Sequence, residues 1–480
     1  MLGKFIGRKN ELQSLENAYA KDTFQMCIIY GRRRIGKTTL INEFIHDKEH
    51  ITFTAIKGSL NRNLELFGEY VVNYFMPGIT GIKFTDIKDI LNIISTNIGN
   101  KKLIIVIDEL PYLAEADKSF LSLLQVEIDN CWLTKNIFLI LSGSSVSFME
   151  NEVLSSKSPI YGRRTMQIDL KPFDYIDTAM FVPDYTAEEK AICYGLTGGV
   201  AKYISMFDSG KSMDQNIIDL FFTPSGFLYE EPHNLLVQEF KNAPVYEDVI
   251  SAVANGANKA VEIKDKTGLE NASIHNILSH LIETRIIEKT YCITEEKNKK
   301  KIQYVLADGM FRFWHIFIPR AVPAIEINNG HNYYLRHVKP KLHEYMGEIF
   351  EKMCRHYILL NAFSDDMPCS VMEAGKWNGT NPKNREQTDI DVVGLDTESN
   401  KAILGECKFR KAPIDKSILD DLMAKNGLID RKYITAAYFL FSLGGFSNWI
   451  LENKEKINVR TITLEDMFYE IFLLSIFPNY

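Results

Sequence analysis

Three uninterrupted apolar runs dominate the first 150 residues. Met26-Cys27-Ile28-Ile29-Tyr30 leads into a Gly/Arg-rich loop, Leu103-Ile104-Ile105-Val106-Ile107 closes on Asp108-Glu109, and Ile137-Phe138-Leu139-Ile140-Leu141 closes on Ser142-Gly143-Ser144. Runs without polar alternation predict strands buried on both faces, the pattern of a parallel sheet covered by helices. Leu40, Ile41, Phe44 and Ile45 then recur at helical spacing. Further along, the period changes. Residues 261–269 predict a short helix ending near Gly268, and after the turn Glu270-Asn271-Ala272 the apolar positions Ile274, Ile277, Leu278, Leu281 and Ile282 predict a second helix. Residues 286–291 and 301–307 predict two strands around a charged tip at 295–301. Residues 388–395 alternate and then turn apolar, Asp396-Thr397-Glu398-Ser399-Asn400 supplies turn residues, and 401–409 predict the returning strand. The expected fold class is α/β and multidomain.

The loop after the first run reads Gly31-Arg32-Arg33-Arg34-Ile35-Gly36-Lys37-Thr38, with Thr39 following at the start of the helix. This is a complete P-loop in its strand–loop–helix setting. Its glycines let successive backbone N–H groups turn inward onto phosphate oxygens, and the helix adds its positive N-terminal end. ATP and Mg²⁺ are the expected ligands. Lys37 is placed to reach the β- and γ-phosphates and Thr38 to ligate the metal. The acids closing the second run form a Walker B element, in which Asp108 holds Mg²⁺ and Glu109 polarises the attacking water. Ser142 or Ser144, on the neighbouring strand, is placed to sense the γ-phosphate.

Around this core stand Phe5-Ile6-Gly7-Arg8-Lys9-Asn10-Glu11-Leu12, Asp108-Glu109-Leu110-Pro111-Tyr112-Leu113, Tyr161-Gly162-Arg163-Arg164-Thr165, Leu170-Lys171-Pro172-Phe173 and Gly198-Gly199-Val200. With these segments the chain resembles the archaeal-type AAA+/STAND ATPases through their helical lid. The resemblance implies that Gly7 and Arg8 lie near the adenine. It implies for Arg163 or Arg164 either a phosphate contact, in cis or in a neighbouring subunit of a homo-oligomer, or structural support of the lid.

The two predicted helices followed by a hairpin have the plan of a winged helix. Ser273, His275, Asn276, Ser279 and His280 form the polar face of its second helix, with Lys299, Lys300 and Lys301 on the wing. Such a face can enter a major groove while the wing meets phosphates. The same module also serves as a rigid spacer in this ATPase class. The presumed reading helix has no arginine before Arg285.

In the C-terminal hairpin, pairing Asp396 with Lys401 sets Asp391 opposite Glu406, and Lys408 projects on the same face. Two carboxylates and a lysine make a hard-cation site with a cationic neighbour, with Asp391 and Glu406 as metal ligands and Lys408 beside the water. This resembles the PD-(D/E)xK nuclease core. The resemblance implies a further acid from the preceding helix, Glu351 or, failing that, Glu348. An ordinary salt-bridged hairpin would carry the same residue types. Met310-Phe311-Arg312-Phe313-Trp314 resembles the aromatic segment that joins the winged helix to a restriction-endonuclease-like domain in some archaeal-type ATPases.

Composition narrows the classes. The 480 residues can hold about three cores, and a net charge of −7 argues against a polyanion-coating protein. Residues 255–341 nevertheless carry 14 Lys and Arg against 9 Asp and Glu, a basic island in an acidic chain. The 7 cysteines are scattered without a C-x-x-C pair, so neither a disulfide framework nor a zinc ribbon is expected. The first residues lack a signal-like apolar block, and no run approaches the ~20 residues of a membrane span. A cytoplasmic protein is expected.

The expected architecture is a P-loop αβα ATPase core (1–168), a helical lid (169–240), a winged helix-turn-helix (241–325) and a C-terminal α/β restriction-endonuclease-like domain (335–480). The expected function is ATP hydrolysis that gates a Mg²⁺-dependent, DNA-processing nuclease-like domain. The alternative is a regulatory ATPase switch that binds DNA or protein without cutting.

Overall fold

The computed structural model describes residues 5–295, 301–382 and 385–468. It divides into two compact units. One holds residues 5–173 with 200–202 and 283–285; the other holds 174–199, 203–282 and the described residues between 286 and 468.

The first unit is built on five parallel strands, β1 (Gln25–Tyr30), β2 (His50–Thr54), β3 (Leu103–Asp108), β4 (Ile137–Gly143) and β5 (Met166–Asp169), in the order β2-β3-β4-β1-β5. Every residue of β1, β3 and β4 is buried, which is why these segments read as unbroken apolar runs. One face of the sheet packs a cluster around Phe53, Phe67, Phe120 and Trp132, and the other a cluster around Leu40, Phe44 and Phe138. Because the strands are parallel, β1, β3 and β4 all finish at one edge. Tyr30 pairs with Gly143 and Ile29 with Ser142, so the loop after β1 opens beside the ends of its neighbours. That edge is where open α/β sheets bind ligands.

In the second unit, helices Tyr175–Phe181, Ala187–Thr197, Met213–Phe221 and Phe227–Glu239 precede the two-helix segment. That segment has helices Ala260–Thr267 and Asn271–Glu283, followed by antiparallel β6 (Ile287–Thr290) and β7 (Gln303–Leu306). The first of the two helices ends at Gly268, whose φ of 69° supplies the left-handed cap. In the second, Ile274, Ile277, Leu278 and Leu281 are buried while Ser273, His275, Asn276, Ser279 and His280 are exposed. Lys299 and Lys300 of the expected wing lie outside the described residues. Lys301 is described, and its ammonium lies 2.5 Å from Glu295.

The aromatic segment at 310–314 enters a long helix, Gly309–Glu326, capped by Asp308 and buried through Phe311 and Phe313. A second long helix, Leu342–Leu360, then lies against a mixed five-stranded sheet. Its strands are β8 (Glu373–Thr380), β9 (Gln387–Asp396), β10 (Lys401–Lys408), β11 (Ile434–Ser442) and β12 (Val459–Thr463), in the order β12-β11-β10-β9-β8. The pairs β8–β9 and β9–β10 are antiparallel, whereas β10–β11 and β11–β12 are parallel. Lys401 pairs with Asp396, the register expected from the turn residues. The sheet's core gathers Trp377, Ile390, Val393, Leu404 and Leu440. Among the described residues, no helix is long and apolar enough to cross a membrane.

Candidate functional site

The P-loop backbone turns through left-handed geometry, with φ of 152° at Gly31, 71° at Arg34 and 95° at Gly36. A Cβ on Gly31 would stand 2.4 Å from the Leu170 carbonyl oxygen and 2.5 Å from Ile35 Cδ1, so the loop closes only around glycine. Lys37, 6% exposed, donates from Nζ to the carbonyls of Gly31 (2.8 Å) and Arg32 (3.1 Å). Its ammonium is thereby folded back over the loop. Thr38 Oγ1 donates to Asp108 Oδ2 at 3.0 Å, joining the start of the helix Lys37–Ile45 to the end of β3. The other oxygen, Asp108 Oδ1, accepts the Glu109 amide at 3.0 Å. Glu109 has a φ of 53°, and its Oε2 accepts from Ser144 Oγ at 2.7 Å.

This donor set fits a nucleotide with Mg²⁺. A hydroxyl and a carboxylate in contact are hard oxygen ligands. Ser142 Oγ, wholly buried at the end of β4, has no hydrogen-bond partner among the described residues. Arg8, also in a left-handed conformation, is buried. It donates to the carbonyls of Lys171 (2.6 Å) and Ile35 (3.3 Å), pairs with Glu11 and stacks 4.0 Å from the Phe173 ring centroid. The Gly7-Arg8 box therefore braces the P-loop from outside.

The second constellation lies in the C-terminal sheet and the helix Leu342–Leu360. Asp391, 7% exposed, accepts the Cys407 amide at 3.0 Å through Oδ2. Its backbone carbonyl accepts from Arg355 Nη1 at 2.7 Å. Glu406 is held by Lys408 at 2.7 Å and Lys425 at 3.5 Å. Lys376 Nζ lies 3.0 Å from Glu351, 3.0 Å from Asp389 and 3.8 Å from Asp391. Glu348 instead pairs with Arg312 at 2.6 Å, so Glu351 is the helix acid that joins the group.

Burial, then the neighbouring charges of Glu406 and Glu351, push the Asp391 carboxyl well above the usual range, against the Cys407 amide and Lys376. Burial works against the Lys376 ammonium, but Glu351, Asp389 and Asp391 outweigh it and hold that group above the ordinary lysine range. The oxygens are hard-metal donors, yet each carboxylate is engaged by a cation or by the Cys407 amide. Among the described residues, no three or more His, Cys, Asp and Glu side chains converge as a metal site.

Residues 5–207 match the model of an ATPase domain found predominantly in Archaea, and residues 314–419 match a family described as "Archaea bacterial proteins of unknown function". A Methanocaldococcus jannaschii protein named "Uncharacterized protein MJECL04" is 30% identical over 429 residues, covering 88% of this chain and 92% of that protein. The chain belongs to this archaeal ATPase family. A second protein of that organism, "Uncharacterized ATP-binding protein MJ0423", is 44% identical over 45 residues, 9% of this chain and 76% of that one. Two solved structures align at lower similarity. The Walker-type ATPase PABY2304 of Pyrococcus abyssi has 19% identity and a TM-score of 0.49, covering 65% of this chain and 96% of that one. CDC6P from Pyrobaculum aerophilum has 13% identity and a TM-score of 0.34, covering 67% and 96%.

In this ATPase the arginines after residue 160 have local partners. Arg163 grips Asp129 through Nε (3.0 Å) and Nη2 (2.7 Å), and Arg164 lies 3.4 Å from the Leu154 carbonyl. Several engaged residues carried little or no signal in the chain. Tyr112 accepts from Arg33 Nη2 at 3.0 Å; the conspicuous Asp108-Glu109-Leu110-Pro111-Tyr112-Leu113 pattern was its only cue. Lys376 had none, because its partners lie on other elements, and Arg355 joins Glu351, four residues back on its own helix, to the Asp391 carbonyl of β9.

Proposed function

We propose that this chain hydrolyses ATP at the P-loop and that nucleotide state governs DNA engagement and Mg²⁺-dependent cleavage by the C-terminal domain. The hydrolytic half is carried by the Thr38–Asp108 contact with Glu109 beside it. Lys37 swings from the loop carbonyls onto phosphate oxygens, exchanging neutral acceptors for charged ones. Thr38 and Asp108 would hold Mg²⁺, which when bound neutralises phosphate charge. Glu109 orients and deprotonates water. Ser142 and Ser144 offer hydroxyls where β4 ends.

The nuclease half rests on Asp391, Glu406, Lys408 and Glu351, brought together by β9, β10 and the helix Leu342–Leu360. Asp391 and Glu406 would hold the divalent cation, and Lys408 would steady an attacking water. DNA contact is assigned to the exposed polar face of the helix Asn271–Glu283, read as the second helix of a winged helix. The test is cleavage of supercoiled and linear DNA by the full chain with ATP and Mg²⁺ or Mn²⁺. Loss of ATP turnover in Glu109→Gln supports the hydrolytic half, and cleavage that is lost in Asp391→Asn supports the nuclease half. No cleavage of any DNA form overturns the nuclease half.

One observation favours a second reading, a switch that binds without cutting: every carboxylate of the C-terminal group is engaged by a cation or an amide. ATP-dependent DNA retention without strand breaks would support it.

A further inference from the structure

In β8 the side chains alternate between faces, and Trp377 enters the sheet's core. Lys376 therefore projects from the other face, where it meets Glu351 of the helix Leu342–Leu360. Its backbone carbonyl accepts the Ile293 amide at 3.1 Å, and a Cβ on Gly375 would stand 3.0 Å from Ile293 Cβ, so the strand is fixed at this point. The four-carbon arm beyond it is not. Asp389 and Asp391, two apart on β9, share the face that the ammonium meets. Three carboxylates, two from β9 and one from the helix Leu342–Leu360, thus surround one cationic atom.

The distances are those of an ammonium, not of a metal. Oxygens at 3.0, 3.0 and 3.8 Å from Nζ stand too far out for Mg²⁺, which binds oxygen at about 2.1 Å. Glu351, Lys376 and Asp389 also line a cleft of about 910 Å³, so a hydrated ion has a route in and the lysine arm has room to leave. Lys352 lines the same cleft, but its ammonium is held by Glu288.

We propose that Lys376 is the resident counter-ion of the carboxylate group, and that a divalent cation binds there by displacing its ammonium. This deepens the nuclease reading and rests on it. Until the arm swings out, the acids are held apart and charge-compensated. Metal loading is therefore a competition between two cations of this site, one of them covalently attached.

The test is Mn²⁺ binding to the full chain without nucleotide, followed by the loss of the free-ion electron paramagnetic resonance signal. Lys376→Gln, or Lys376→Met if the first variant unfolds, is expected to bind the Asp391-dependent ion at least 10-fold more tightly than the unsubstituted chain. Lys352→Gln, which removes the same charge from the same cleft, is expected to change affinity less than 2-fold. Asp391→Asn should remove the ion in every background. Equal tightening by Lys376→Gln and Lys352→Gln, or none by Lys376→Gln, overturns the displacement and leaves the metal site standing. Absence of any Asp391-dependent ion in all variants overturns the metal site and the displacement together.

Discussion

Ser144 Oγ donates to Glu109 Oε2 at 2.7 Å, tying the end of β4 to the residue that follows β3. Glu109 adopts a left-handed backbone, uncommon for a residue with a Cβ, and the hydroxyl fixes where its carboxylate points. Removing that hydroxyl should leave nucleotide affinity within about 3-fold and lower hydrolysis about 10-fold, through lost orientation of the base. Glu109→Gln should cost about 100- to 10,000-fold, the usual worth of a positioned base. Single-turnover hydrolysis with a parallel nucleotide-binding titration separates the two effects. Equal loss in Ser144→Ala and Glu109→Gln would refute the orienting role.

Thr38→Val removes the donor to Asp108 while keeping the side-chain shape. Its hydrolysis should fall and need more Mg²⁺ for half-saturation, whereas Thr38→Ser should recover both. A magnesium titration of the steady-state rate checks this. Lys37→Ala should abolish hydrolysis outright.

Gly31→Ala places a methyl group 2.4 Å from a backbone oxygen that cannot move without disturbing the segment after β5. The backbone must also hold a φ of 152°. Such strain costs roughly 1–3 kcal/mol before any clash is counted. Urea unfolding of Gly31→Ala should show a loss of about 2–4 kcal/mol in the transition that reports the first unit.

His315 is buried in the helix Gly309–Glu326, its ring parallel to Phe311 and edge-on to Trp314, and burial lowers its pKa from 6.5 to about 4. Above pH 6.5 the ring is neutral in folded and unfolded chains alike, and nothing is at stake. Between pH 6.5 and about 4 the unfolded chain takes up a proton that the folded one refuses. Stability therefore falls as pH falls, by about 1.4 kcal/mol per pH unit and roughly 3 kcal/mol in all. His315→Leu should flatten this acid limb in pH-dependent urea titrations. An unchanged limb would mean that other groups set it.

The parallel core and the hairpin were legible because each left a local trace. Strands buried on both faces cannot carry polar residues, so 26–30, 103–107 and 137–141 announced themselves, and Asp396 to Asn400 marked the turn that sets the β9–β10 register. Residues 373–380, by contrast, read Glu-Ala-Gly-Lys-Trp-Asn-Gly-Thr, with one large apolar residue and two glycines. This edge strand is held by its neighbour and shows no period of its own, so β8 and with it Lys376 escaped notice. The arginines were ambiguous for a related reason. Arg163 finds its acid 34 residues upstream, at Asp129, a pairing that spacing along the chain does not encode.

Arg8 fastens the P-loop from outside, through Ile35, to a carbonyl 163 residues further along the chain. At about 5–20 residues per second, synthesis takes on the order of 8–30 seconds to cover that stretch. The phosphate loop thus leaves the ribosome well before the carbonyl that braces it, which lies two residues before Phe173, where the first long stretch of that unit ends. A nascent chain halted before Lys171 would expose a complete nucleotide-binding motif with an unfinished wall, and its affinity for ATP should appear late and abruptly during translation.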